Sequence, residues 1–192
     1  MNLREIQREQ VEWVAKNFGT RPSWQPFVGM VEEIGELEAA AWQKPDDIYD
    51  AIGDIVIFMS DFCTLEGVDL LQLYEESQDF VVNGQDWSIS ITSCLAWVAR
   101  GFLKKAQGVR GTPEENQLKM REGLRGVLAH LDLTLVRYRR TLPEVVTEVW
   151  LEVRKRDWKL YPATGLPATQ EPLGRVTEPA PPSGSFRGED VT

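Results

Sequence analysis

Apolar residues recur at three- and four-residue spacing over most of the first 160 positions, while the strict alternation that marks strands is almost missing. The pattern predicts an all-α chain. A first helix is expected over Leu3–Asn17, with Ile6, Val11, Trp13 and Val14 on or near one face. Asn17-Phe18-Gly19 ends it, and Arg21-Pro22-Ser23 forms a loop. A second helix is expected from 26 to 43, where Lys44-Pro45 breaks the pattern. A third runs from 46 to 65 with acids in its first turn, where they favour the helix dipole, and Gly67 stops it. A fourth covers 69 to 81. Further helices are expected over 88–105, 113–138 and 142–158. Thr112 and Glu115 read as a capping box around Pro113 at the first helical position.

From Tyr161 the periodicity stops. Six prolines and four glycines fall within the last 32 residues, which predicts an extended tail over 161–192. The preceding helical domain, 1–160, reads as two related halves, 1–84 and 85–160. Positions 93–98 align with 32–37, and 121–125 with 50–54. In that alignment Ile34 meets Leu95, Leu37 meets Val98 and Ile57 meets Leu128, so apolar positions agree. The acids do not: Glu33, Glu36, Asp50 and Asp54 become Cys94, Trp97, Arg121 and Arg125. Two readings stand. Any two amphipathic hairpins can be slid into partial agreement, or the chain is a fused pseudo-dimer whose halves bury their apolar stripes in one helical bundle.

Composition narrows the function. The 192 residues are 42% hydrophobic and 27% charged, too apolar for a disordered chain and too interrupted by charge for a membrane protein. The opening residues lack a signal-peptide layout, and the two cysteines, Cys63 and Cys94, cannot make a disulfide framework. A cytoplasmic location is therefore expected. Thirty acids against 21 bases give a net charge of −9, which argues against binding a nucleic-acid polymer. A small polyanionic ligand would need a divalent metal to arrive with it.

The acids are concentrated in Glu32-Glu33-Ile34-Gly35-Glu36 and in Asp50-Ala51-Ile52-Gly53-Asp54. Glu33 and Glu36 are three apart and share a helix face, as Asp50 and Asp54 do at four apart. An antiparallel hairpin can bring the four carboxylates together. Val31, Ile34 and Leu37 flank the first pair; Ile52, Ile55, Ile57 and Phe58 flank the second. Carboxylates bordering an apolar stripe repel one another and lose water, so they call for a cation. Oxygen-only ligation suits Mg²⁺ or Mn²⁺ rather than zinc. A merely solvated acidic face would carry interspersed bases, but between Arg21 and Lys104 only Lys44 and Arg100 occur.

This stretch resembles the MazG-like, all-α nucleoside triphosphate pyrophosphohydrolases, whose motif is EExxE, a spacer, then ExxD. Glu32, Glu33, Glu36 and Asp54 match it directly. The motif's glutamate three before Asp54 is Ala51 here, and Asp50 is the substitute. The resemblance covers 1–82, with further similarity over 103–112 and 153–158; the tail lies outside it. It implies an enzyme that cuts a (d)NTP between the α- and β-phosphates, releasing (d)NMP and pyrophosphate. It implies two or more Mg²⁺ or Mn²⁺ ions on Glu33, Glu36, Asp50 and Asp54, with Glu32 as general base or orienting residue. It also implies a homo-oligomer, dimer or tetramer. The alternative is a non-catalytic helical module of the same descent that binds nucleotide or protein.

Bases must meet the pyrophosphate end. The candidates are Lys44, Lys104, Lys105, Arg110, Lys155 and Arg156, so one composite site is expected, with metal from half one and positive charge from half two. The same bases could simply complement helix C-termini. Trp13 could stack on the nucleobase with Asn17 at its edge, or Trp13 could be core. A purine deoxynucleotide such as dGTP is an expectation resting on Trp13 alone. His130, the single histidine, and both cysteines read as packing residues. Asp61, seven residues beyond Asp54, either reaches substrate or sits in a buried polar network.

Overall fold

The computed structural model describes residues 1–40, 45–82 and 90–168. Seven α-helices make up the regular structure of these residues, and no strand occurs among them. They are α1 (Leu3–Asn17), α2 (Trp24–Ala40), α3 (Pro45–Leu65), α4 (Leu70–Val82), α5 (Ile91–Gln107), α6 (Pro113–Val136) and α7 (Leu142–Val153). The all-helical bundle expected from the periodicity is therefore present. No described helix is long and apolar enough to cross a membrane.

Local chemistry explains the boundaries. Asn2 and Glu5 form a capping box at the start of α1, and Thr112 and Glu115 form the one expected at α6. Gly67 and Gly108 take positive φ of 70° and 63°, left-handed geometry that suits a helix stop. Several boundaries differ from expectation by one to five residues. Ser90 caps α5, so this helix begins at Ile91. The second helix starts two residues earlier, at Trp24, and is described as far as Ala40. The last helix ends at Val153 rather than continuing to 158. Asp157 stops it from outside: its N–H donates to the Gly165 carbonyl at 2.7 Å, and its carboxylate pairs with Lys16 at 2.7 Å. Turns therefore occupy 161–168, the first part of the expected tail, and 169–192 lies outside the described residues.

Two antiparallel hairpins dominate the packing. In the α2–α3 pair, Phe27 meets Phe62 with ring centroids 5.9 Å apart, and Gly29 faces Phe58. In the α5–α6 pair, a Cβ on Gly123 would stand 2.7 Å from the Cys94 carbonyl oxygen, and one on Gly101 would stand 2.6 Å from that of Asn116. Only glycine permits backbones this close. α1 lies antiparallel on α3, where Gln10 donates to the Ile57 carbonyl at 2.8 Å and Gln7 to Thr64 at 3.2 Å. α7 packs on α3, and α4 on α6.

The core runs between the hairpins. Met30, Ile52, Ile55, Phe62, Leu124, Leu131 and Trp150 are essentially inaccessible. Cys63 and Cys94 are buried, unpaired by disulfide, and part of this core, as expected. Val11 is a correction to the predicted face of α1: it is 47% exposed, and Gln10 takes the inward position. The inward face is Leu3, Ile6, Gln10, Val14 and Asn17, a spacing that leaves Val11 on the far side.

Candidate functional site

The α2–α3 hairpin sets the acids in register. With Gly29 opposite Phe58, one turn further along each helix places Glu33 opposite Asp54, and a further turn places Leu37 opposite Asp50. Ile34, Ile52 and Ile55 point into the core. Glu33, Asp50 and Asp54 are half-buried at the edge of that apolar seam, while Glu32 and Glu36 are exposed. Val31 is exposed, so it does not form the apolar wall expected beside Glu33.

Electrostatics tie the group together. Burial and then the negative charges of Asp54, Glu36, Glu32 and Asp50, in that order, push the Glu33 carboxyl up to about 8. The four other sequence-predicted acids therefore all lie near enough to Glu33 to oppose its ionisation. Among the described residues, however, no three His, Cys, Asp or Glu side chains gather closely enough to grip a metal ion. The donor set has the chemistry of a hard divalent cation site, oxygen ligands with excess negative charge, but not a closed cage.

Ala51, between the two aspartates, belongs to the core. It is 4% exposed and packs into the core, so a glutamate at that position would carry its charge inward. Asp50, one residue earlier, borders the acidic group instead. Between the two aspartates, Gly53 lies against α7: a Cβ there would stand 2.4 Å from Cγ2 of Val149. This contact fixes how far α3 can rotate, and with it the direction of Asp50 and Asp54.

The predicted bases separate into two sets. Lys105 pairs with Glu66 at 2.8 Å, and Lys104 donates to Gln107 at 2.9 Å. Glu66 lies beyond the end of α3, about 18 Å along the axis from Asp54, and Arg110 is in the loop that follows the same end of α5. The structure does not bring Lys104, Lys105 and Arg110 to the acids. Lys155 and Arg156 follow α7, the helix that touches Gly53; Lys155 pairs with Glu152 at 2.6 Å, and the Arg156 guanidinium lies 5.8 Å from the Trp158 ring centroid. Lys44 lies outside the described residues.

Trp13 and Asn17 join the segment after α7 to α1. The Trp13 indole N–H donates to the Arg156 carbonyl at 3.1 Å, and its ring packs edge-on against Phe18 and Trp150. The Asn17 amide donates to the Trp13 carbonyl at 2.9 Å and accepts from the Trp158 N–H at 2.7 Å. Both residues thus have their polar groups engaged inside the fold.

Asp61 lies in a buried polar network. Its carboxylate pairs with Arg21, which also lies over Phe18; burial still holds the Asp61 carboxyl above its ordinary range despite that charge. Arg21 was missing from the sequence-derived bases. The one signal for it was its place at the edge of a stretch nearly empty of bases. His130 donates to or accepts from its own helix, with Nδ1 2.8 Å from the Gly126 carbonyl oxygen. Comparison with family models, with curated proteins and with solved structures found no match to this chain.

Proposed function

We propose that this chain is a metal-dependent nucleoside triphosphate pyrophosphohydrolase, cleaving a (d)NTP between the α- and β-phosphates to (d)NMP and pyrophosphate. The observation that carries the reading is the half-buried Glu33, held up to about 8 by burial and by four neighbouring carboxylates. Such crowding costs stability unless a cation or a proton relieves it, and a cation-loaded triphosphate brings the cation. Glu33, Glu36, Asp50 and Asp54 would hold Mg²⁺ or Mn²⁺, which when bound neutralises phosphate charge and acidifies water. Glu32, exposed and adjacent to Glu33, takes the proton from the attacking water. Gly53 against Val149 holds the two aspartates in place. Trp13 and Asn17 support the wall formed by α1 rather than reading the base, which removes the basis for preferring dGTP. The proposed setting is the cytoplasm, and the proposed assembly a homodimer or homotetramer.

A second reading has its own support. The buried Ala51 and the open arrangement of acids suit a non-catalytic module that binds nucleotide or protein. One assay separates the two: incubation with each common dNTP and Mg²⁺ or Mn²⁺, following monophosphate and pyrophosphate. The hydrolase reading expects release, and at least a hundredfold loss in Glu33→Gln. No release from any dNTP, with Glu33→Gln behaving as wild type, leaves the binding module.

A further inference from the structure

A cleft of about 320 Å³ opens beside the acidic hairpin, with walls from both halves of the chain. Leu37 of α2 and Ile48 of α3 form one wall; Ile91 of α5 and Tyr138, just after α6, form the other. Leu37 lies one turn beyond Glu33 on the same face of α2, and Ile48 lies two residues before Asp50. The cleft therefore begins where the acids end. Its size is at the lower end for a small-molecule site, large enough for a nucleobase with its sugar. A larger hollow of about 430 Å³, beside Trp97 and Lys119, belongs to α5 and α6, and none of the five acids borders it.

The lining is mostly apolar and aromatic, with one arginine, Arg137, and one carboxylate, Glu38, among its polar groups. Tyr138 is steadied edge-on by Tyr49, with centroids 5.7 Å apart, so its ring is held ready rather than ordered on binding. Glu38 accepts a hydrogen bond from Thr92 at 3.2 Å, which joins α5 to α2 at the cleft wall and engages that carboxylate. Arg137 borders the opening, exposed, and makes no ion pair among the described residues. It is a positive charge from half two at the mouth of this cleft, whereas Lys104 and Arg110 lie toward the other end of α3.

We propose that this cleft takes the nucleoside part of a nucleoside phosphate, with Arg137 meeting the phosphate charge as the phosphates pass toward the acids. This rests on the pyrophosphohydrolase reading for its direction, but not for its test. His130 also lines the cleft and is the chain's single histidine, so its ring signal in an NMR spectrum needs no assignment. The full chain is titrated, without divalent metal, with each of the four common deoxynucleoside monophosphates. At least one is expected to shift the His130 signal saturably. Arg137→Ala should weaken that binding tenfold or more, and Thr134→Trp, which fills the cleft, should abolish it. Ile91→Trp provides a second filled cleft if Thr134→Trp fails to fold. Leu118→Trp, in the other hollow, should change nothing. Where dNTP hydrolysis is found, a folded cleft-filling variant should raise KM at least tenfold. Hydrolysis at wild-type KM in a filled cleft overturns the cleft proposal and leaves the enzyme standing. Monophosphate binding lost in a filled cleft, with no hydrolysis by wild type, overturns the enzyme and leaves the cleft. No His130 shift from any monophosphate overturns the cleft proposal.

Discussion

Replacing Glu33 by glutamine removes a charge without changing the shape of the side chain. In the folded chain the carboxyl holds its proton up to about 8 against an ordinary 4.5, because burial and the surrounding acids oppose ionisation. The unfolded chain releases the proton near the ordinary value. Folding therefore becomes less favourable as pH rises through the window from 4.5 to 8, and is unaffected by this group below it. Each pH unit inside the window costs about 1.4 kcal/mol, so a fully enclosed group would cost about 3 kcal/mol at pH 7. Glu33 is only half-buried, and solvent screening reduces the expectation to about 1–2 kcal/mol. Glu33→Gln should thus melt about 3–6 °C above wild type at pH 7 in chelator-treated buffer. The gap should close by pH 4, where wild type is protonated in both states. Adding millimolar Mg²⁺ should raise the wild-type melting temperature more than that of the variant, narrowing the gap at pH 7. Scanning calorimetry across pH 4–8 measures all three. A variant less stable than wild type at pH 7, or a difference independent of pH, would refute the crowded-carboxylate argument.

Three further expectations follow from the packing. Gly53→Ala places a Cβ 2.4 Å from Val149 Cγ2 and should cost about 1–3 kcal/mol in urea unfolding; adding Val149→Ala should recover part of the loss. Arg21→Ala leaves Asp61, 4% exposed, without its partner and should cost about 3–5 kcal/mol at pH 7. That loss should shrink near pH 4, as Asp61 takes up a proton, and a loss below about 1 kcal/mol at pH 7 would contradict the pairing. The Cys63 thiol, pushed up to about 12 by burial, should resist a thiol reagent at pH 8 in the native chain and react once urea unfolds it, as read by absorbance.

The legible part of this protein was local. The helix at Leu3–Asn17 and the capping box at Thr112 follow from residues within a few positions of one another. The grouping of acids was legible too, because three- and four-residue spacing sets a face and a hairpin can join two faces. What the sequence left open or missed depends on a neighbour far along the chain. Trp13 reads as core or as base-stacking until its indole is seen donating to Arg156, 143 positions away. Lys105 looked available for phosphate until Glu66 is seen beside it. The last helix looked five residues longer because nothing in its own turn announces the bond from Asp157 to Gly165.

Helix periodicity and charge bias, by themselves, determined an all-helical chain with a carboxylate-rich first half. Both are properties of short windows, where backbone hydrogen bonds and side-chain spacing act within one or two turns. Tertiary structure alone decided which carboxylate is crowded, which bases are tied up, and where a cleft opens. Glu33 depends on how α2 meets α3, Arg21 on where the α1–α2 loop meets Asp61, and the cleft on four helices and a turn. Burial and pairing depend on distances between segments, and spacing within a segment carries no information about those.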